Sequence, residues 1–198
     1  PFEFADFADL DQVAKLAESL NSKFENIDVL ANNAGVMFGT FAKTVDGFER
    51  TFQLNHLAPF LRTHLLHDKL IANKATVINT ASMTNLMWGE LDLTDLNNEN
   101  NYDEKRAYGT AKLCNILFTK EIDRRYRSIG LSAVAFHPGV VSTNFASDPA
   151  SAFHKVYHSD GKPTMAMITP DAGADQLIWI AEGIAGIDWK QGEYYDLR

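Results

Sequence analysis

Apolar positions along the chain recur with two different periods, and the switches between them lay out the elements. Phe2 and Phe4 alternate with polar neighbours as far as Phe7, which predicts a short strand and its exit turn around Asp6. Asp9 or Asp11 then caps a helix that turns Leu10, Val13, Leu16, Ala17, Leu20 and Phe24 inward. Ile27 to Ala31 is an apolar run of strand length, closed by Asn32-Asn33-Ala34-Gly35. From Val45 to Lys69 the period is helical, with Phe48, Phe52, Leu54, Leu57, Leu61, Leu65 and Leu66 on one side. Pro59 interrupts it, removing one backbone bond and predicting a kink or split just after Asn55. Ala75 to Ala81 reads as a second buried strand with Ser82 at its end, and a polar loop from Glu90 to Glu104 leads into an amphipathic helix over Lys105 to Tyr126. Leu131 to Phe136 is a third strand, ending in His137-Pro138-Gly139. Asn144 to Pro170 sets Phe145, Phe153, Tyr157, Met165 and Met167 among Ser, Asp, Gly and Pro; it reads equally as a lid with an apolar inner surface or as an excursion packed for stability. Pro170 and Asp171 open a last helix, and Gly192 to Tyr195 reads as a closing strand.

Strands that alternate with helices predict an α/β fold, a doubly wound and mainly parallel sheet with right-handed crossovers. Ligands of such sheets gather at the carboxyl ends of the strands, where Asn33, Ser82 and the Pro138-Gly139 turn all fall. With 198 residues and no repeat or linker, the chain is expected to form one domain, 1–198. A net charge of −8 and a pI near 5.2 argue against nucleic acid or an anionic membrane as partner. Arg124, Arg125 and Arg127 form the one basic cluster, a solvated face at a helix end. The single cysteine, Cys114, excludes an internal disulfide, fits a reducing, cytoplasmic compartment, and lies on an apolar helix face as a small buried hydrophobe. No apolar run reaches membrane-spanning length. The six histidines are dispersed without ligand spacing, so no metal is expected and a helix-surface location suits them.

The candidate chemistry centres on Tyr108 and Lys112, four residues apart and therefore on one helix face. An ammonium beside a phenol favours phenolate and should draw the tyrosine pKa down, fitting it to pass a proton near neutral pH. Gly35 permits close backbone approach or a positive φ at a strand end. Asn55 is polar on an apolar helix beside the Pro59 distortion. Its amide either satisfies backbone groups freed by the kink or holds a water near the chemistry.

Asn32-Asn33-Ala34-Gly35 after one strand, Asn55 in the next helix, Ser82 after the next strand, Tyr-x-x-x-Lys on the following helix and Pro138-Gly139 beyond: this order resembles the short-chain dehydrogenase/reductase family, whose fold is Rossmann-like. The segment Tyr108 to Phe118 and the ending Gly-x-Tyr-Tyr are most similar to its retinol dehydrogenase-like and WW-domain oxidoreductase-like branch. The resemblance implies an NAD- or NADP-dependent oxidoreductase that interconverts an alcohol and a carbonyl. Tyr108 would be the acid/base, Lys112 would lower its pKa and hold the nicotinamide ribose, Ser82 would orient the substrate oxygen, and Asn55 would anchor a water linking Lys112 to solvent. Asn33, Ala34 and Gly35 would lie under the adenosine side, Asp6 would meet the adenine amino group, and Pro138, Gly139, Val140 and Thr143 would fix the carboxamide. A homodimer or tetramer paired through the helices at 45–69 and 105–126 is implied as well. Met83, Met87, Trp88 and the lid suggest a small apolar alcohol or carbonyl substrate, although core packing explains these residues equally well. A non-catalytic scaffold, or an epimerase or dehydratase on the same fold, are the alternatives. The intact Ser82, Tyr108 and Lys112 weigh against the scaffold, and the Pro138-Gly139 turn favours simple hydride transfer.

The family's first βαβ portion, with its glycine-rich turn and the strand end that selects NAD or NADP, would precede Pro1; a chain opening on Pro1 rather than Met is expected to be part of a longer protein. The polypeptide 1–198 alone should therefore bind nicotinamide cofactor poorly or not at all. Isothermal calorimetry checks this, and a dissociation constant in the micromolar range would contradict it.

Overall fold

The computed structural model describes residues 2–158 and 166–196. Four strands, β1 (Val29–Asn32), β2 (Thr76–Thr80), β3 (Ser132–His137) and β4 (Tyr194–Asp196), form one wholly parallel sheet in the order of the sequence. Helix α1 (Leu10–Lys23) precedes β1. Short α2 (Arg50–Phe52), a widened turn of π-helix (Gln53–Leu57), α3 (Ala58–Leu65) and α4 (His67–Ala72) join β1 to β2. Helices α5 (Thr84–Trp88) and α6 (Glu104–Tyr126) join β2 to β3, and α7 (His154–His158) and α8 (Pro170–Glu182) join β3 to β4.

The period-2 alternation of the strands divides the core into two layers. Leu30, Val77 and Ala133 face one side, where they pack with Ala17 of α1, Leu66 between α3 and α4, Leu70 of α4 and Ile122 of α6. Ile78, Val134 and Phe136 face the other, against Ile180 of α8 and Trp189, whose indole N–H donates to the Ile180 carbonyl. The doubly wound, parallel reading of the sequence is thus observed, and β3 is buried at every position, as a central strand covered on both faces must be.

Two expected elements differ. Phe2 to Phe7 forms no strand, and Phe2 and Phe4 are 92% and 95% exposed. Alternation makes a strand only beside a partner, and among the described residues the outer edge of β1 has none. The helix expected from Val45 starts at Arg50, because the buried Glu49 carboxylate accepts from the Thr51 and Phe52 backbone N–H groups and fixes the start there. Pro59 acts as anticipated, with the widened turn beginning six residues before it. Elsewhere the caps follow the sequence: Asp9 accepts from the Asp11 and Gln12 N–H groups, and Pro170 opens α8. Arg124 and Arg125 pair with Glu121 and Arg127 with Asp123 on an outer face, and Cys114 is buried, its thiol pushed up to about 11. The expected lid, 144–170, includes α7; its residues 159–165, with Met165, lie outside the described ones.

α6 meets α5 at Gly109. A Cβ there would stand 2.8 Å from the Gly89 nitrogen and the Trp88 carbonyl carbon, backbone atoms that cannot swing aside. Alanine's helix propensity is worth about 1 kcal/mol over glycine, whereas overpacking against rigid backbone costs roughly 1–3 kcal/mol or more. Gly109→Ala should therefore lower the melting temperature by about 2–8 °C, read by differential scanning calorimetry.

Candidate active site

The carboxyl ends of β1, β2 and β3 and the amino-terminal turns of α6 enclose a cleft of about 780 Å³. Asn33, Ala34, Gly35, Ser82, Tyr108, Lys112, Pro138, Gly139, Val140 and Thr143 all line it. Of the residues singled out in the sequence, Asp6 and Asn55 do not.

Ser82 follows β2 directly and is almost wholly buried. Its carbonyl accepts from the Asn85 backbone and side chain, a turn that opens α5, its hydroxyl oxygen accepts from the Thr84 N–H at 3.2 Å, and its side chain shares the cleft wall with Tyr108. Tyr108 stands one turn into α6, 8% exposed, its ring edge-on to Phe145 with centroids 5.0 Å apart. Lys112 is 2% exposed. Its Nζ donates to the Thr80 carbonyl at 3.1 Å and lies 5.4 Å from the Tyr108 ring centroid. The i,i+4 geometry of the helix brings amine and phenol together as expected.

The electrostatics differ from expectation. Burial pushes the Tyr108 phenol well above its ordinary range, with neighbouring Tyr157 adding to the rise and Ser82 opposing it. Burial also brings Lys112 down to about 8. Desolvation leads both shifts, which the helix spacing alone cannot reveal.

Asn55 is fully buried. Its side chain accepts from the Val36 N–H at 3.2 Å and donates to the Val36 and Thr51 carbonyls, both at 2.7 Å. The amide thus ties the backbone of α2 to Val36 and fastens the Asn33–Val36 turn. Gly35 serves close approach rather than a positive φ: a Cβ there would sit 3.0 Å from Asn55 Oδ1 and 3.1 Å from Lys112 Nζ. Gly139 does adopt a positive φ, 87°. Asn33 Oδ1 accepts from the Thr80 hydroxyl at 2.8 Å, and Thr143 Oγ1 accepts from the Phe145 N–H.

Asp6 is exposed and does not line this cleft; its carboxylate accepts from the Ala8 N–H in the turn before α1. The surface assignment of the histidines is corrected for two of them: His137 is buried at the end of β3, and His56 lies among Phe52, Phe60 and Phe118. Three residues of the site escaped the sequence reading. Thr80 supplies the carbonyl that holds Lys112, Asn115 donates to the same carbonyl and to that of Asn55, and His56 meets Asn115. Only Asn115 left a signal, three residues after Lys112 and seven after Tyr108, hence on the same helix face.

A family model described as short chain dehydrogenase matches residues 2–152. Retinol dehydrogenase 14 of Mus musculus is 40% identical over 192 residues, an alignment covering 91% of this chain and 56% of that one. Retinol dehydrogenase 13 of Homo sapiens is 42% identical over 140 residues, covering 70% of this chain and 42% of its own. The solved structure of an uncharacterized protein from Mycobacterium paratuberculosis superposes with a TM-score of 0.71 at 33% identity, covering 98% of this chain and 61% of that one. The chain spans about half the length of these two curated relatives. A parallel sheet whose carboxyl edge gathers a serine, a tyrosine and a lysine, and a family match over three quarters of the sequence, lead to one assignment: this chain belongs to the short chain dehydrogenase family.

Proposed function

We propose that the protein to which this chain belongs is an NAD(P)-dependent oxidoreductase that interconverts an alcohol and a carbonyl, with Tyr108 as acid/base. One observation carries the reading: the buried Ser82, Tyr108 and Lys112 side chains meet on the wall of one apolar cleft, with Lys112 Nζ 5.4 Å from the Tyr108 ring centroid. Because burial favours the neutral phenol, Tyr108 holds its proton at neutral pH and is suited to give it to a carbonyl oxygen. The Ser82 hydroxyl donates to the same oxygen and steadies the charge that develops there. The phenolate left behind is stabilised by Lys112, which at about 8 still carries its proton at pH 7. In the other direction the phenolate takes the alcohol proton.

When bound, the nicotinamide supplies or accepts the hydride. The cleft fits its ribose end. Lys112 and Tyr108 offer donors, Gly35 leaves the Lys112 amine uncovered where a Cβ would touch it, and Gly139 turns the Pro138–Val140 backbone along the wall with Thr143 beyond. Asn33, Ala34 and Gly35 are suited to the adenosine side. Asn55 is assigned to holding that turn through Val36. The side facing the lid is lined by Met83, Met87, Trp88, Phe145, Phe153 and Leu177, which supports a small apolar substrate, with 144–170 as its lid. The names of the two retinol dehydrogenases support the alcohol/carbonyl class. Partly exposed Phe60 and Leu117 on α3 and α6 support a homo-oligomer paired through these helices, and the buried lone Cys114 accords with a cytoplasmic setting. No helix among the described residues is long and apolar enough to cross a membrane.

The full-length protein should consume NADPH or NADH with members of an aldehyde panel, followed by absorbance. Tyr108→Phe should lower kcat by about 10²–10⁴-fold. No consumption with any carbonyl would favour the scaffold instead. Lys112 gives a second test. Its folded pKa, about 8, lies below the ordinary 10.5, so between these values the unfolded chain binds more protons and stability rises with pH. Urea unfolding at pH 8 and pH 10 should show the wild type gaining roughly 2 kcal/mol on Lys112→Met across that interval.

A further inference from the structure

We infer that His56 is a positioning residue which, by orienting the Asn115 amide, holds the carbonyl that seats Lys112; the inference rests on the alcohol/carbonyl reading above. Pro59 has no N–H, so the Asn55 carbonyl, four residues earlier, lacks that donor within its own helix. Asn115 Nδ2 fills the gap from α6, donating to Asn55 O at 3.0 Å. The same nitrogen reaches Thr80 O at 3.4 Å, and that oxygen also accepts from Lys112 Nζ at 3.1 Å. One side-chain amide therefore bridges the distorted helix and the strand-end carbonyl that fixes the amine.

An amide whose nitrogen serves two carbonyls must turn its oxygen elsewhere. Asn115 Oδ1 lies 2.9 Å from His56 Nδ1. An amide oxygen has no proton to offer, so Nδ1 carries the hydrogen and donates. This bond sets the sense of the amide: a flip would press Oδ1 against the Asn55 and Thr80 oxygens and point the NH2 group at a ring N–H. The imidazole is braced by Phe52, Phe60 and Phe118, at centroid distances of 5.4, 6.0 and 6.2 Å. Burial, with the Lys112 charge adding to it, lowers the His56 pKa and keeps the ring neutral. A neutral ring that donates through Nδ1 fixes geometry. The interaction of ammonium with phenolate falls with their separation, and small misplacements near reacting groups cost large factors in rate.

The experiment uses the full-length protein. Long-range ¹H–¹⁵N correlation of the histidine rings should show His56 at pH 7 with Nδ1 protonated and Nε2 bare. His56→Phe keeps the packing and removes the donor, so kcat should fall about tenfold while KM stays within about twofold. His56→Asn, which places an amide nitrogen near the former Nδ1, should restore kcat to within about threefold of wild type. Asn115→Asp keeps an acceptor for His56 but has no N–H for Asn55 or Thr80, and should lose at least about tenfold in kcat. Melting temperatures are measured for every variant. An Nε2–H tautomer, wild-type kcat in His56→Phe, failure of His56→Asn to recover, or a kcat loss that tracks the melting temperature each overturns the inference. Turnover by the wild type with any of these results sinks the inference alone, whereas a wild type that turns over no carbonyl sinks the functional reading, and the positioning role with it.

Discussion

The Lys112 amine, buried at the junction of α6 and β2, is the constraint on which the rest of the site depends. Withdrawing an ammonium from water is costly unless it is well hydrogen-bonded, and the partner it finds is a backbone carbonyl, Thr80 O, at 3.1 Å. That choice binds the position of the amine to the end of a central strand rather than to a mobile carboxylate. It also leaves the positive charge without a carboxylate partner among the described residues, and an uncompensated cation beside a phenol favours the phenolate that proton transfer creates. Stability is given up where reactivity requires it.

Around this point the protein arranges a layer of neutral polar groups. Asn32 donates to Asn79 and Thr63, Asn79 donates to Thr119, and the Thr119 hydroxyl donates to the Asn115 carbonyl, so β1, β2, α3 and α6 are joined through hydrogen bonds in the interior. Such networks are favourable only when fully satisfied, and then they specify a single arrangement of the elements. The Pro59 defect belongs to the same layer. The carbonyl it leaves without a helical donor becomes an attachment point for α6, and the widened turn presents Asn55 to the Val36 backbone. A proline that would merely weaken an isolated helix here couples two helices and a strand-end turn.

Much of this was legible in the amino-acid pattern. Strands β1 to β4, helices α1, α6 and α8, the caps at Asp9 and Pro170, and the distortion before Pro59 all follow from local rules of periodicity and backbone chemistry. The Tyr108–Lys112 juxtaposition follows from helix geometry alone. Failures arose where a local signal needed a distant partner. Phe2 and Phe4 alternate as a strand would, yet no strand lies beside them among the described residues. His56 and Asn115 are 59 positions apart in sequence and share no motif.

The sequence by itself determined which residues can do chemistry and on which edge of the sheet they collect, because side-chain identity and backbone period are properties of neighbouring residues. The tertiary structure alone decided the protonation states of that chemistry. Burial, summed over elements distant in the chain, keeps Tyr108 a phenol and softens Lys112, reversing what the pair's spacing implies for the tyrosine. Desolvation depends on everything that surrounds a group, and no stretch of sequence contains its own surroundings.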